Sequence, residues 1–329
     1  MVITETPHRI SFFGGGTDYP AYYMEHGGKV LGGAIDKFCY LSVRLLPGFF
    51  EHKHRIVYSA SELVSEIDDI KHPSVRETMR KLKVEYGLSI HHDADIPARS
   101  GMGSSSAFTV GLIKSILARE GRMIGKSELT DMAIDIEQNW IKEAVGSQDQ
   151  AFAAHGGFNR IEFLPSGKIV VDPVIMDRER FKQFESNLVL VFTGFSRIAA
   201  EVAAVKIQNI PKRLEVLHNM KNLVDEAFEI LVNPTKDLDE FGKLLNYTWE
   251  QKKKLAANIS NASVDEIYNK AMKAGAIGGK LLGAGNGGFM LLYVRPEQQQ
   301  KVISSLGLLH IPFKFDFSGS RVIVYHPDF

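Results

Sequence analysis

The sequence predicts an α+β fold in two lobes, and three observations carry that reading. At 329 residues the chain exceeds what one compact core usually organises, so two lobes of ordinary size are expected. Strand-type and helix-type patterns are mixed along it rather than strictly alternating, which favours α+β over a doubly wound sheet. The stretch Ile161 to Phe192 is broken by Pro165, Gly167 and Pro173 into short apolar runs. It is expected to be strands with turns and to hold the lobe boundary, giving lobes of residues 1–180 and 181–329.

The elements follow in order. Val30 to Leu46 places Gly32 and Gly33 among strand formers such as Val43 and Leu45 and is expected to be β. Leu82 to Asp95 reads as a helix end, a break at Gly87 and a strand running toward Pro97. Ser104 to Glu120 is expected to be a helix. Phe108, Leu112 and Ser115 share one face, and Val110, Ile113 and Leu117 widen it. A helix apolar nearly all round belongs in the interior. Ser127 to Val145 is expected to be a second helix, capped by Ser127, striped by Leu129, Met132, Ala133, Ile136 and Trp140, and followed by Gly146. Further helical patterns cover Ala199 to Leu231 with a break near Pro211, Leu238 to Ala257, and Val264 to Ala274. A glycine-rich segment, Gly275 to Gly288, precedes a strand at Phe289 to Val294, a short helix from Pro296, and strands at Ile311 to Phe317 and Arg321 to Tyr325. Trp140 and Trp249 sit on helical stripes and are expected in the core; Lys252, Lys253 and Lys254 are expected to form a solvated face.

Composition removes several function classes. Lys plus Arg equals Asp plus Glu, 39 each, so no global charge draws the chain to nucleic acid or to an anionic membrane surface. No apolar stretch reaches the roughly 18 residues of a membrane span. Met1 to Ile10 holds Glu5 and Pro7 and no apolar run behind a basic segment, so no secretory signal is expected. A single cysteine, Cys39, excludes an intrachain disulfide and a thiolate zinc site; it is expected to be a small buried residue in a strand, in a cytoplasmic protein.

The chemistry concentrates at Pro97-Ala98-Arg99-Ser100-Gly101-Met102-Gly103-Ser104-Ser105-Ser106-Ala107, ahead of the buried helix. Gly101 and Gly103 let the backbone approach a ligand closely. The first-turn amides of the helix are unsatisfied, and its dipole adds about half a positive charge there. Phosphate is the natural occupant. One serine cap would explain one hydroxyl, not three beside two glycines. No lysine lies in the segment and G-x-x-x-x-G-K-[S/T] is absent, so this is not a P-loop. Were ATP to bind, amides and hydroxyls would hold its phosphates, and magnesium would need a hydroxyl here and a carboxylate from elsewhere.

The segment resembles the phosphate loop of the GHMP kinases, roughly P-x-x-x-G-L-G-S-S-A-A, with Met102 for the leucine and Ser106 for the first alanine. Pro7-His8-Arg9-Ile10-Ser11-Phe12-Phe13-Gly14-Gly15-Gly16-Thr17-Asp18-Tyr19 is similar to the family's N-terminal sugar motif. Gly278-Gly279-Lys280-Leu281-Leu282-Gly283-Ala284-Gly285-Asn286-Gly287-Gly288 is similar to its third, glycine-rich motif. The last stretch also contains G-x-G-x-x-G. A helical pattern precedes it and a strand follows, the reverse of a dinucleotide fingerprint.

The resemblance implies an N-terminal lobe like ribosomal protein S5, an α+β C-terminal lobe, and an ATP-dependent kinase for a small molecule with Mg²⁺ as cofactor. It implies phosphate contacts from Arg99, Ser100, Gly101, Met102, Gly103, Ser104, Ser105 and Ser106, and magnesium on Glu137 with Ser105, with Ser106 as a competing hydroxyl. It implies substrate contacts from Gly14, Gly15, Gly16, Thr17, Asp18, Gly283 and Gly285. Asp149, in a G-x-x-D-Q pattern just past a helix end, would face the acceptor hydroxyl as base or as orienting group. Arg9 would offset charge on the transferring phosphoryl group. The triple glycine differs from the Gly-Glu-His of galactokinases. Together with Gly146 to Gln150 it resembles the D-glycero-D-manno-heptose 7-phosphate kinases, which phosphorylate the anomeric C1 hydroxyl; fucose kinases are the alternative. A phosphorylated acceptor needs a second anion site, for which Arg197 is a candidate. A non-catalytic sensor would be expected to have lost Asp149, Glu137 or the serines, and none is lost.

Overall fold

The computed structural model describes residues 1–194 and 199–327. The chain begins β1 (Val2–Phe13), α1 (Pro20–His26), β2 (Gly28–Leu45), β3 (His54–Val57), β4 (Ser61–Val64), α2 (Pro73–Lys81), β5 (Leu88–Ala94) and α3 (Ser104–Arg119). Then come α4 (Lys126–Asp135), α5 (Gln148–His155), β6 (Phe158–Phe163), β7 (Ile169–Pro173), α6 (Arg178–Ser186), β8 (Leu188–Phe192), α7 (Ala199–Asn209) and α8 (Leu214–Val232). It closes with α9 (Asp239–Lys253), α10 (Ala262–Ala274), β9 (Gly278–Leu281), β10 (Phe289–Tyr293), α11 (Pro296–Leu306), β11 (Leu309–His310) and β12 (Arg321–Tyr325).

Two sheets organise these elements. The first has eight strands in the order β12-β1-β2-β5-β3-β4, with β6 and β7 joined through β2. The long β2 pairs with β1 along one edge, while its other edge is shared, Gly28–Gly33 with β6 and Cys39–Leu45 with β5. The second sheet runs β11-β8-β10-β9 and is antiparallel throughout. Both faces of its central strands are covered. Leu188, Leu190, Phe289, Leu291 and Tyr293 enter the core shared with the first sheet, and Val189, Val191, Met290 and Leu292 enter the core beneath α10 and α11. That is why these strands read as unbroken apolar runs rather than alternating ones. Residue 180 lies inside α6, and β12 pairs antiparallel with β1, so residues 321–325 of the second segment belong to the first sheet. Among the described residues no helix is long and apolar enough to cross a membrane.

Most expected elements are present, α3 buried as its pattern requires and Cys39 and Trp249 fully enclosed. Four differ. The helix expected over 127–145 follows Gly125 rather than a Ser127 cap and ends at Asp135, and Ile136–Trp140 continue as a π-helical turn. One such turn inserts a residue into the helical register. Here it turns Glu137 inward and leaves Trp140 exposed, 5.1 Å from the Lys81 ammonium. The interval 161–192 holds a helix, α6, as well as strands. Gly278 and Gly279 form a strand inside the glycine-rich segment by pairing with β10; a Cβ at Gly278 would stand 1.9 Å from the Gly242 carbonyl of α9, so packing rather than a turn calls for glycine there. Residues 311–317 make one isolated bridge, Ile35 to Phe315; their aromatic pattern serves packing, with Phe313 and Phe315 set against the shared core.

Candidate active site

Residues 97–103 carry the chain from β5 into α3. Arg99, Gly101 and Gly103 have positive φ, 60°, 83° and 75°, an alternation that curls successive amides toward one side as an anion nest. Gly103 precedes the helix and brings no side chain to cap it, so the first-turn amides keep their donors for a ligand. Ser100 Oγ and Ser104 Oγ are buried without a protein partner. The Met102 side chain lies in the core shared by the two sheets, which leaves only its backbone for a phosphate.

The glycine-rich loop after β9 braces this cradle. A Cβ at Gly101 would lie 2.9 Å from the Leu282 carbonyl oxygen, and one at Gly283 would lie 2.4 Å from the Gly101 Cα. The two loops therefore touch backbone to backbone, and Phe289 N–H donates to Ser100 O at 3.2 Å. Behind them Lys252 Nζ donates to the carbonyls of Leu281 (2.8 Å) and Gly283 (2.7 Å). Lys252 is thus buried, contrary to the solvated face expected for residues 252–254. Its burial, with Lys280, Lys206 and Arg9 nearby, pulls its pKa well below the usual lysine range.

Three consecutive residues at the start of α5 hold the rest together. Successive helical residues point about 100° apart, so each reaches a different wall. Gln148 Nε2 donates to Asp18 Oδ2 at 2.9 Å. Asp149 receives a two-pronged ion pair from Arg9, Nε to Oδ1 and Nη2 to Oδ2, both 2.8 Å. Gln150 Nε2 donates to Glu137 Oε2 at 2.5 Å. Asp149, expected past a helix end, stands in the first turn of this short helix. Arg9 also donates Nη1 to Gly101 O at 2.7 Å, tying Asp149 to the phosphate loop, and Gly103 packs against both.

Glu137 is fully buried. Burial raises its pKa to about 7, against the pull of hydrogen bonds from Ser106 and Gln150. Ser106 Oγ donates to its Oε2 at 2.9 Å, while Oε1 has no partner. The serine that meets Glu137 is Ser106; Ser105, expected beside it, is exposed. A buried carboxylate oxygen without a donor, next to hydroxyls and a phosphate cradle, suits a hard cation. Among the described residues no three His, Cys, Asp or Glu side chains gather to hold a metal alone, so such an ion would depend on this carboxylate, hydroxyls and phosphate oxygens.

On the opposite wall Asp18 is buried, with Oδ1 accepting from Gly16 N at 2.8 Å. Burial raises its pKa, opposed first by the Gly16 amide. A Cβ at Gly146 would fall 1.9 Å from Asp18 Oδ2, so only glycine fits there. Thr17 and Gly14 fasten the backbone of this wall. The Thr17 hydroxyl lies within hydrogen-bond distance of Gly14 O (2.9 Å) and Lys29 O (2.7 Å), and Gly14 leaves room for Lys29 O. Gly15 has Ser11 and Gln148 as its nearest neighbours. Around these carboxylates stand two more buried lysines. Lys280 donates to Phe12 O at 2.7 Å, and burial, with Arg9 and Lys206 adding to it, lowers its pKa to about 7. Lys206 lies 5.4 Å from the Tyr19 ring.

Two family models match the chain, "GHMP kinases N terminal domain" over residues 71–157 and "GHMP kinases C terminal" over residues 222–308. The chain belongs to the GHMP kinase family. Members are ATP-dependent kinases, and so is this chain. It is 29% identical over 314 residues to the D-glycero-alpha-D-manno-heptose 7-phosphate kinase of Campylobacter jejuni, covering 92% of each chain. It is 25% identical to the bifunctional fucokinase/GDP-fucose pyrophosphorylase of Arabidopsis thaliana, covering 90% of this chain and 30% of that longer enzyme. The crystal structure of a D-glycero-D-manno-heptose 1-phosphate kinase from Bacteroides thetaiotaomicron superposes with a TM-score of 0.80 at 27% identity, covering 99% of this chain and 100% of that one.

Within this GHMP kinase, the structure brings Arg9, Asp18, Glu137, Asp149 and the phosphate loop to one cleft. It places Gly283 against the phosphate loop and Gly285 against Ile259, as braces. Arg197 lies outside the described residues. Sequence reasoning missed Gln148, Gln150, Gly146, Lys206 and Lys280 as site residues. Lys280 was visible as a lone cation between glycines and an apolar run; Lys206 left no signal on its helix.

Proposed function

We propose that this kinase transfers the γ-phosphoryl group of ATP to the anomeric C1 hydroxyl of D-glycero-D-manno-heptose 7-phosphate, giving the 1,7-bisphosphate. The observation that carries the reading is the Arg9–Asp149 pair, fixed between the phosphate loop through Gly101 O and the start of α5. A carboxylate held there by both oxygens retains lone pairs for an acceptor hydroxyl. The named relatives from Campylobacter and Bacteroides support a manno-heptose phosphate as acceptor, and their names differ in which position carries the phosphate.

The acceptor oxygen bonds the γ-phosphorus as the bond from phosphorus to the bridging oxygen breaks. ADP departs with that oxygen, and the hydroxyl proton passes to Asp149. Asp18, oriented by Gly16 and Gln148, holds sugar hydroxyls. The amides of Gly101 to Ser105 bind phosphate oxygens. Arg9 uses three of its five donors on Asp149 and Gly101 and offsets charge on the transferring group. Glu137 and Ser106 would hold Mg²⁺, which when bound neutralises charge on the ATP phosphates. Most of the acceleration in such transfers comes from positioning and electrostatics.

ADP release from purified protein with ATP and Mg²⁺, across sugars with and without phosphate, tests this. Turnover with the heptose 7-phosphate supports it. Turnover with free fucose but not with heptose phosphate replaces it with the fucose reading. Tight ATP binding without ADP release for any sugar points to a binder rather than a catalyst.

A further inference from the structure

Beside Gly16 a narrow recess, with room for about one water-sized group, opens between α7 and α8, lined by Gly16, Tyr19, Lys206, Arg213, Leu217 and Leu255 among others. Lys206 is 7% exposed, and among the described residues neither it nor Arg213 forms a side-chain hydrogen bond or ion pair. The carboxylates that act on Lys206 from a distance, Asp18 and Asp149, are each held by other partners, and Arg9, Lys252 and Lys280 repel it. A nearly buried ammonium without a counter-ion is costly, and a bound anion removes that cost. Arg213 offers the planar fork that matches phosphate oxygens. The leucine walls keep the local dielectric low, which strengthens such a contact. Gly16 lines the recess and also donates its amide to Asp18, so the recess adjoins the acceptor site.

We propose that Lys206 and Arg213 form a second anion subsite that holds a phosphate monoester already present on the acceptor. The assignment rests on the reading of Asp18 and Asp149 as the acceptor site. It makes the acceptor a sugar phosphate.

Initial rates at saturating ATP, with the heptose 7-phosphate and the same sugar without phosphate, test it. A charge-assisted hydrogen bond contributes about 1.5–3 kcal/mol, so Arg213→Ala and Lys206→Met are each expected to raise KM for the phosphorylated acceptor roughly 10- to 100-fold. The preference for the phosphorylated sugar should shrink in step, and Arg213→Lys should restore part of it. A wild type that prefers the phosphorylated sugar, with both variants keeping that preference, overturns the subsite while leaving the kinase reading intact. A second measurement does not need turnover. Inorganic phosphate is titrated calorimetrically into protein whose ATP site is filled with a non-hydrolysable analogue and Mg²⁺. Binding by wild type that is lost in both variants supports the subsite even if the acceptor is misassigned; absent binding, or binding unchanged in both variants, overturns it.

Discussion

The two walls of the cleft are made of different material. The wall proposed for ATP is backbone: a nest of left-handed residues, free first-turn amides and a second glycine loop pressed against the first. The wall proposed for the acceptor is side chain: a two-pronged ion pair, buried carboxylates and amides, and buried lysines. The backbone wall tolerates side-chain change so long as the chain can take its φ values and the loops can touch. The side-chain wall tolerates little, because most of its groups are buried and the partner of each would be left uncompensated.

That contrast can be broken most directly at Asp149. Asp149→Ala is expected to lower kcat by roughly 10²-fold or more if the carboxylate accepts the hydroxyl proton, while nucleotide binding, followed by calorimetry, stays near wild type. A folded variant with near-normal turnover would remove Asp149 from the chemistry and leave it an anchor for Arg9. On the backbone wall, Gly101→Ala places a Cβ 2.9 Å from Leu282 O at φ 83°. Left-handed backbone costs a non-glycine residue about 1–2 kcal/mol, so a rise of about tenfold in KM for ATP is expected, without a matching change for the acceptor. Gly121→Ala is the control: φ is 70° and nothing lies within 4 Å of the added carbon. Equal losses of ATP affinity in the two variants would mean that strain, not contact with the Leu282–Gly283 backbone, sets the effect.

The smallest effect is a slope with pH. Glu137 has a folded pKa of about 7 against an ordinary value of 4.5. Between those values the folded chain keeps a proton that the unfolded chain has released, so stability falls as pH rises through the window and is level outside it. Urea midpoints from pH 4.5 to 8 should show this decline in metal-free protein, and Glu137→Gln should flatten it. Mg²⁺ with nucleotide requires the ionised carboxylate and should offset the decline toward pH 7. Identical slopes for wild type and variant would contradict a buried, proton-holding Glu137.

The phosphate loop was legible because its chemistry is local. Gly101, Gly103 and the serines ahead of a buried helix announce an anion site, since glycine freedom and helix-end amides depend only on neighbours in sequence. The family resemblance extended that legibility to Arg9, Asp18, Glu137 and Asp149 by position. It could not say how they meet. Arg9 and Asp149 lie 140 positions apart, and no periodicity records such a pairing.

By itself the sequence determined the α+β class, the buried helix α3 and the family, and it marked out the candidate phosphate loop, all of which follow from composition, period and contiguous motifs. Only the tertiary structure decided that Ser106 rather than Ser105 meets Glu137, that a π turn buries that carboxylate, that Lys252 braces a glycine loop instead of facing water, and that Lys206 is buried without a hydrogen-bonded counter-ion in the field of Asp18 and Asp149. Each of these depends on desolvation and on partners from distant segments, and those exist only once the chain has folded around them.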